Sequence, residues 1–128
     1  SNFLAKVEIG KQHGTIKGIL WHQGESDTNE KNIPLYPERL SKLFTKFRLA
    51  VGNNNLPILL GELGSFSKNK EGFELINKAI HNYSARDANT AVIFTGDLKH
   101  KGDSLHFNSK AQRTIGKRFA EAYIHKFQ

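Results

Sequence analysis

Hydrophobic residues along this chain follow two kinds of pattern, and the two kinds alternate. Three short runs are mainly apolar, at residues 15–21, 56–63 and 91–95. Continuous apolar runs of this length, bounded by glycine or asparagine, predict buried β-strands. The longer segments that follow these runs place apolar residues three or four positions apart, which predicts amphipathic helices.

The clearest predicted helix covers residues 36–51. Pro37 suits its first turn, because the N–H that proline lacks would have no partner there. Gly52 and the asparagines after it suit a left-handed helix end. One apolar stripe runs along this helix and consists of Tyr36, Leu40, Leu43, Phe44 and Phe47.

Two further helices are predicted later in the chain, over residues 72–86 and from Asn108 or Ser109 to about Lys126. Either Asn108 or Ser109 can cap the last helix through its side chain. Residues 3–12 mix apolar and charged positions, and we interpret them as the end of a helix that begins earlier.

This order predicts an α/β fold with three α/β/α layers around a parallel sheet. Right-handed crossovers then bring the carboxyl ends of the strands to one edge, where sites form. Three strands make a narrow sheet for helices on both faces. We therefore interpret residues 1–128 as a single domain, the carboxyl-terminal part of a larger α/β domain whose amino-terminal part, with at least one more strand, is missing.

The composition limits the chemistry. The chain has 128 residues, 38% hydrophobic and 24% charged, and no cysteine, so disulfides, thiolate nucleophiles and cysteine metal sites are excluded. No apolar run approaches the roughly 18 residues of a membrane span. The net charge is +7, but lysines and arginines are spread over every segment, which favours solvated helix faces over a nucleic-acid surface. We expect neither a membrane nor a nucleic acid as a partner.

Asp103 and His106 form the first candidate for chemistry. An aspartate three residues before a histidine, in a loop that enters a helix, can fold back so that its carboxylate meets the imidazole. That contact fixes the tautomer and stabilises the imidazolium when the histidine takes a proton. Spacing alone favours a plainer interpretation, in which the aspartate caps the helix or tightens a turn.

The second candidate is the polar stretch that ends the first strand. Gln23 carries a side-chain amide that can donate to an oxyanion, and Gly24 allows the backbone to approach a substrate closely. Glu25 has three open roles: it can orient Gln23, bond the backbone of a neighbouring loop, or act as an acid or base. The alternative is a polar strand end with an ordinary turn, and Trp21 is expected to be core.

These two stretches carry a resemblance to a known family. Residues 18–27, Gly-Ile-Leu-Trp-His-Gln-Gly-Glu-Ser-Asp, resemble the central block of the sialate O-acetylesterase and acetylxylan esterase group. That group is carbohydrate esterase family 6, within the SGNH hydrolases. Residues 102–108, Gly-Asp-Ser-Leu-His-Phe-Asn, resemble the last block of the same group.

The resemblance implies a flavodoxin-like fold and a serine hydrolase that removes acetyl groups from sugar hydroxyls, without metal or other cofactor. It implies that His106 is the general base and acid, that Asp103 orients it, and that Gln23 stands in the oxyanion hole. We assign His22 and Glu25, in the same block, to substrate binding. Acetylated carbohydrate is the expected partner, and an exported bacterial protein, secreted or periplasmic, is the expected setting.

One departure from the family pattern limits this prediction. The nucleophilic serine of the group belongs to an amino-terminal G-Q-S-N-like block, which this chain lacks, as it lacks the glycine block of the oxyanion hole. Its own serines near the site, at positions 26, 65, 67 and 104, are poor substitutes. We therefore expect the serine in a segment absent from this chain and the isolated chain to be a poor esterase or none.

Two alternatives remain beside the esterase. In the first, the chain is a catalytically inactive descendant of the family that binds carbohydrate or serves as an interaction domain. In the second, which rests on the net charge alone, the chain binds nucleic acid. A truncated sheet also has an exposed edge. We expect that edge to pair with a missing amino-terminal segment or to drive self-association.

Overall fold

The computed structural model of the protein describes residues 2–128. It contains a parallel three-stranded sheet with the strand order β1-β2-β3. The strands are β1 (Ile19–Trp21), β2 (Ile58–Gly61) and β3 (Thr90–Ile93), and the helices are α1 (Asn2–His13), α2 (Tyr36–Val51), α3 (Lys70–Ser84) and α4 (Ser109–Phe127). The predicted α/β fold with a parallel sheet is confirmed.

The central strand shows how the sheet is covered. Every residue of β2 is buried. Ile58 and Leu60 pack into one core cluster with residues of α2 and α3, whereas Leu59 packs into a second cluster with residues of α4. Because successive side chains of a strand point to opposite faces, helices lie on both faces of this sheet.

The helix α2 begins and ends where the sequence predicts. Pro37 lies in its first turn, and the N–H of Gly52 (φ 80°) caps the carbonyls of Arg48 and Leu49 in a left-handed conformation. Asn108 is the cap of α4, where its side chain accepts from the N–H of Ala111 at 2.8 Å.

Other boundaries differ from the predicted ones by a few residues. The first strand covers only three residues, Ile19–Trp21, instead of residues 15–21, because only these pair with β2. Helix α3 begins at Lys70, two residues before the predicted start. The reason is Asn69, whose side chain accepts from the N–H of Gly72 at 3.1 Å and caps the helix.

The two ends of the chain pack onto this frame. Helix α1 lies against α2, where the rings of Phe3 and Phe47 are 4.7 Å apart. Tyr123 of α4 donates to the carbonyl of Lys17, just before β1, at 3.2 Å. Among residues 2–128, no helix is both long enough and apolar enough to cross a bilayer.

Candidate active site

The three parallel strands deliver three polar segments to one edge of the sheet. The first, residues 22–27, follows β1; the second begins at Glu62 after β2; and the third, residues 94–107, follows β3. The carboxyl edge of a parallel sheet is where α/β proteins form their sites. The predicted site residues all lie on the first and third of these segments.

Asp103 and His106 contact each other on the third segment. The Oδ2 atom of Asp103 lies 2.6 Å from Nδ1 of His106. The other oxygen, Oδ1, accepts from the backbone N–H of His106 at 2.8 Å and from that of Leu105 at 3.0 Å. A carboxylate can only accept, so the imidazole proton is assigned to Nδ1, and Nε2 is left to take up a proton.

These contacts change the titration of Asp103. The backbone N–H of His106, its imidazole and the N–H of Leu105 hold the pKa of the Asp103 carboxyl well below its usual range. The contacts of the carboxylate are therefore complete above the ordinary aspartate pKa of about 3.9, and they are lost only as the pH falls through the lowered value. Asp103 is therefore charged at every pH at which a histidine can act as a base.

The pair stands on an open surface. The side chains of Asp103 and His106 are 35% and 58% exposed. Lys101 lies beside them, with its Nζ 3.5 Å from Oδ2 of Asp103. The geometry of the pair therefore depends on hydrogen bonds within its own loop more than on burial.

His22 joins the first segment to the third. Its ring lies against Phe107, with 5.4 Å between centroids, and Phe107 directly follows His106 in the chain. Its Nε2 donates to the carbonyl of Glu62 at 3.0 Å, so the ring is fixed between the ends of β1 and β2. The two sequence blocks thus meet in space through the His22–Phe107 contact.

Gln23 follows with its amide on the site edge. Its Nε2 donates to Oδ2 of Asp27 at 3.4 Å, which uses one of the two amide hydrogens. Its backbone carbonyl accepts from the hydroxyl of Tyr36 at 3.1 Å. Burial raises the pKa of Tyr36 to about 12, so this hydroxyl remains a donor at physiological pH. Gln23 keeps one amide hydrogen for an incoming group.

Gly24 and Glu25 form the turn after Gln23. Gly24 has φ 147°, a backbone conformation that other residues rarely adopt, and a Cβ there would lie 2.9 Å from Cγ2 of Ile76. The carboxylate of Glu25 bonds to backbone, but within its own turn and not in a neighbouring loop: its Oε2 accepts from the N–H of Gly24 at 3.0 Å. The side-chain partner of Gln23 is Asp27 instead.

Two of the four serines near the site bond to backbone through their hydroxyls. The hydroxyl of Ser65 donates to the carbonyl of Gly96 at 2.9 Å, and that of Ser67 accepts from the N–H of Asn69 at 3.1 Å. Ser104 has a left-handed backbone (φ 56°), and Ser26 is exposed in a short 3-10 turn. Within residues 2–128, none of these four hydroxyls hydrogen-bonds to an imidazole.

Sequence reasoning missed the contacts that tie the strand ends together. Glu62 accepts from the N–H of Thr95 at 3.0 Å through Oε2 and pairs with Nε2 of His81 at 2.6 Å through Oε1. The hydroxyl of Thr95, a fully buried side chain, donates to the carbonyl of Glu62 at 3.1 Å. The sequence signal that could have indicated these contacts is Glu62, a lone carboxylate directly after the apolar residues of β2. In the part of the chain that the structure describes, no group of three His, Asp, Glu or Cys side chains is arranged to hold a metal ion.

Gly61 has no side chain, and this leaves room for the His22 ring. A substitution at Gly61 therefore gives a stability prediction. A Cβ at Gly61 would lie 2.9 Å from Cδ2 of His22, whose ring is held by Glu62 and Phe107. Gly61→Ala is therefore expected to lower the free energy of unfolding by about 1–3 kcal/mol, as overpacking does. Urea unfolding measures it.

The matched control is Gly116→Ala in α4, where a Cβ would meet nothing within 4 Å. Alanine is the better helix former, so this change should raise stability by up to about 1 kcal/mol. Equal stabilities for the Gly61→Ala variant and the unaltered protein would mean that the His22 ring is not held in place.

Comparisons with known proteins identify the family to which this chain belongs. The model of the family described as carbohydrate esterase, sialic acid-specific acetylesterase matches residues 1–125. A probable carbohydrate esterase of Arabidopsis thaliana is 29% identical over 122 residues, which are 94% of this chain and 45% of the relative. The chain therefore spans about half the length of that curated relative.

Two solved structures share the fold. The X-ray structure of the Arabidopsis protein superposes with a TM-score of 0.88 at 26% identity, over 99% of this chain and 52% of the other. A carbohydrate acetylesterase from Xanthomonas citri gives a TM-score of 0.75 at 23% identity, over 86% of this chain and 26% of the other, and shows the fold alone.

The chain belongs to the carbohydrate esterase family of sialic acid-specific acetylesterases. The predicted membership in the sialate O-acetylesterase group is thereby confirmed.

Proposed function

We propose that this chain supplies the acid–base pair and an oxyanion donor of an SGNH-type serine esterase that removes acetyl groups from sugar hydroxyls. The observation that carries the proposal is the 2.6 Å contact between Asp103 and His106 on the sheet edge that also bears the Gln23 block. An exposed imidazole with its Nδ1 held by a carboxylate is the arrangement that general base catalysis needs.

In the proposed reaction, Nε2 of His106 takes the proton of a serine hydroxyl as its oxygen attacks the acetyl carbonyl. The carbonyl oxygen becomes an oxyanion, which accepts from the remaining amide hydrogen of Gln23. When the C–O bond to the sugar breaks, His106 returns the proton to the sugar oxygen. A water molecule then repeats the sequence on the acetyl-serine and releases acetate.

We further propose that the nucleophilic serine comes from a segment outside these 128 residues. Support comes from the serine contacts described above and from the half-length match to the relatives. Strand β1 is an edge of the sheet, and its Leu20 is 61% exposed. An apolar side chain on an unpaired strand edge suits an added segment, and self-association is the other way to cover it.

His22 and Glu25 are proposed to bind substrate from the same edge. The carboxylate of Glu25 is partly exposed beside Gly24, where it can accept from a sugar hydroxyl. His22 donates its Nε2–H to Glu62, so only Nδ1 is left as an acceptor for a hydroxyl.

A second candidate function has one observation in its favour. Because none of the four site-edge serines in the described chain contacts an imidazole, the chain by itself lacks an activated nucleophile. It would then be an inactive domain that binds carbohydrate or another protein.

Acetate release from acetylated xylo-oligosaccharides and from O-acetylated sialic acid distinguishes the two candidates. The product of the complete reading frame and the 128-residue chain are assayed side by side. Turnover by the former and almost none by the latter supports the esterase with an external serine. If neither hydrolyses any acetyl ester while the chain binds the sugar in calorimetry, the inactive binding domain is the correct function.

A further inference from the structure

The loop that carries Asp103 and His106 contains a second histidine, His100, on its inner side. Nδ1 of His100 accepts from the backbone N–H of Gly102 at 2.9 Å and from that of Ser104 at 3.1 Å. These are the two amides on either side of Asp103. We propose that His100 is a positioning residue, which holds the Asp103–His106 pair in its working geometry; the inference rests on the proposed esterase function.

The amides around Asp103 are satisfied by a connected set of acceptors. The N–H of Lys101 donates to the carbonyl of His106 at 2.9 Å and closes the base of the loop. Two amides then donate to His100, and the next two, of Leu105 and His106, donate to Asp103. Removing the His100 acceptor would leave the N–H groups of Gly102 and Ser104, on either side of Asp103, without their hydrogen bonds.

The backbone of this turn needs such support. Gly102 and Ser104 both have positive φ, 121° and 56°. For serine this left-handed conformation is unfavourable, and it persists where surrounding bonds determine it. Because Asp103 is exposed, hydrogen bonds within the loop supply this support, and the amides of Gly102 and Ser104 themselves both donate to His100.

His100 is itself held in place from two directions. Its ring lies 5.2 Å from that of Phe66, and Phe66 packs edge-on against Phe107 at 5.0 Å. Its backbone pairs with Phe107 in an isolated antiparallel bridge. Since Phe107 also contacts His22 at 5.4 Å, the support of the pair is continuous with the Gln23 block.

The acceptor on His100 defines the test. Nδ1 accepts two N–H groups, so the ring proton is on Nε2. In His100→Asn the side-chain oxygen stands near the position of Nδ1 and can accept both amides. In His100→Phe the ring can still pack against Phe66, but the acceptor is gone. The two variants therefore separate hydrogen bonding from packing.

The experiment uses NMR on the 128-residue chain, so it needs no enzymatic activity. In His100→Phe, amide exchange at Gly102 and Ser104 should become about tenfold faster, the effect of losing one hydrogen bond. The pKa of the Asp103 carboxyl, followed by its carbon shift, should rise toward the ordinary range. In His100→Asn both quantities should stay close to those of the unaltered chain.

In the product of the complete reading frame, kcat should fall at least tenfold in His100→Phe with KM little changed, and His100→Asn should restore it. A folded His100→Phe chain with unchanged exchange and unchanged Asp103 titration would overturn the inference. So would a loss in His100→Asn with none in His100→Phe, because packing of the ring, and not the acceptor, would then hold the pair. If the NMR changes occur but no protein hydrolyses acetyl esters, the positioning stands and the esterase function fails.

Discussion

Replacing His106 by alanine in the product of the complete reading frame is expected to remove nearly all acetyl-ester turnover. Nδ1 of His106 lies 2.6 Å from Oδ2 of Asp103. In the proposed mechanism, this contact leaves Nε2 as the base for the nucleophile and the acid for the leaving sugar. Loss of the histidine of a serine-hydrolase site lowers kcat by about 10⁴–10⁶-fold. Acetate release under saturating substrate measures the change.

The structure supplies a control for this variant. The His106 side chain is 58% exposed, and exposed substitutions usually change stability by less than about 0.5 kcal/mol. The variant should therefore unfold at the same urea concentration as the unaltered protein. His125→Ala, at an exposed position in the last turn of α4, should keep full activity. Normal turnover by the His106→Ala protein would exclude His106 as the general base.

Local patterns predict much of this fold. The stripe Tyr36 to Phe47 and the end at Gly52 define α2 to the residue, because helix period and helix ends are local properties of sequence. Three continuous apolar runs identify the three strands and their parallel order. The ends of strands are harder to predict from sequence, because a residue such as Ile16 belongs to a strand only if a neighbouring strand pairs with it.

The candidate site, too, has a part that follows from local sequence and a part that does not. The contact between Asp103 and His106 is local, since a turn of four residues makes it; the spacing allows the contact, although spacing alone favoured a plain turn. The resemblance to a family links this pair to Gln23. The partners that complete the site depend on side-chain placement that no spacing contains: Asp27 rather than Glu25 faces the Gln23 amide, and His100 accepts the amides beside Asp103.

Asp103→Asn is the second change with a large expected effect, and it acts through a proton. The asparagine oxygen can still accept the amides of Leu105 and His106, so the turn is kept. Its amide nitrogen then faces Nδ1 of His106 and donates to it. The imidazole proton must move to Nε2, and the ring can no longer take a proton from the nucleophile. We expect kcat to fall about 10⁴-fold, the effect of a wrong histidine tautomer.

A comparison with Asp103→Ala tests this cause. Alanine also removes the acceptor for the two amides, so the turn itself loosens, and amide exchange at Leu105 and His106 should accelerate only in this variant. The nitrogen-15 shifts of His106 should show the Nε2–H tautomer in Asp103→Asn and the Nδ1–H tautomer in the unaltered protein. An asparagine variant that keeps the Nδ1–H tautomer and full activity would mean that Asp103 serves the turn alone. The plain interpretation of the aspartate–histidine spacing, a turn with a half-exposed histidine, would then be the correct one.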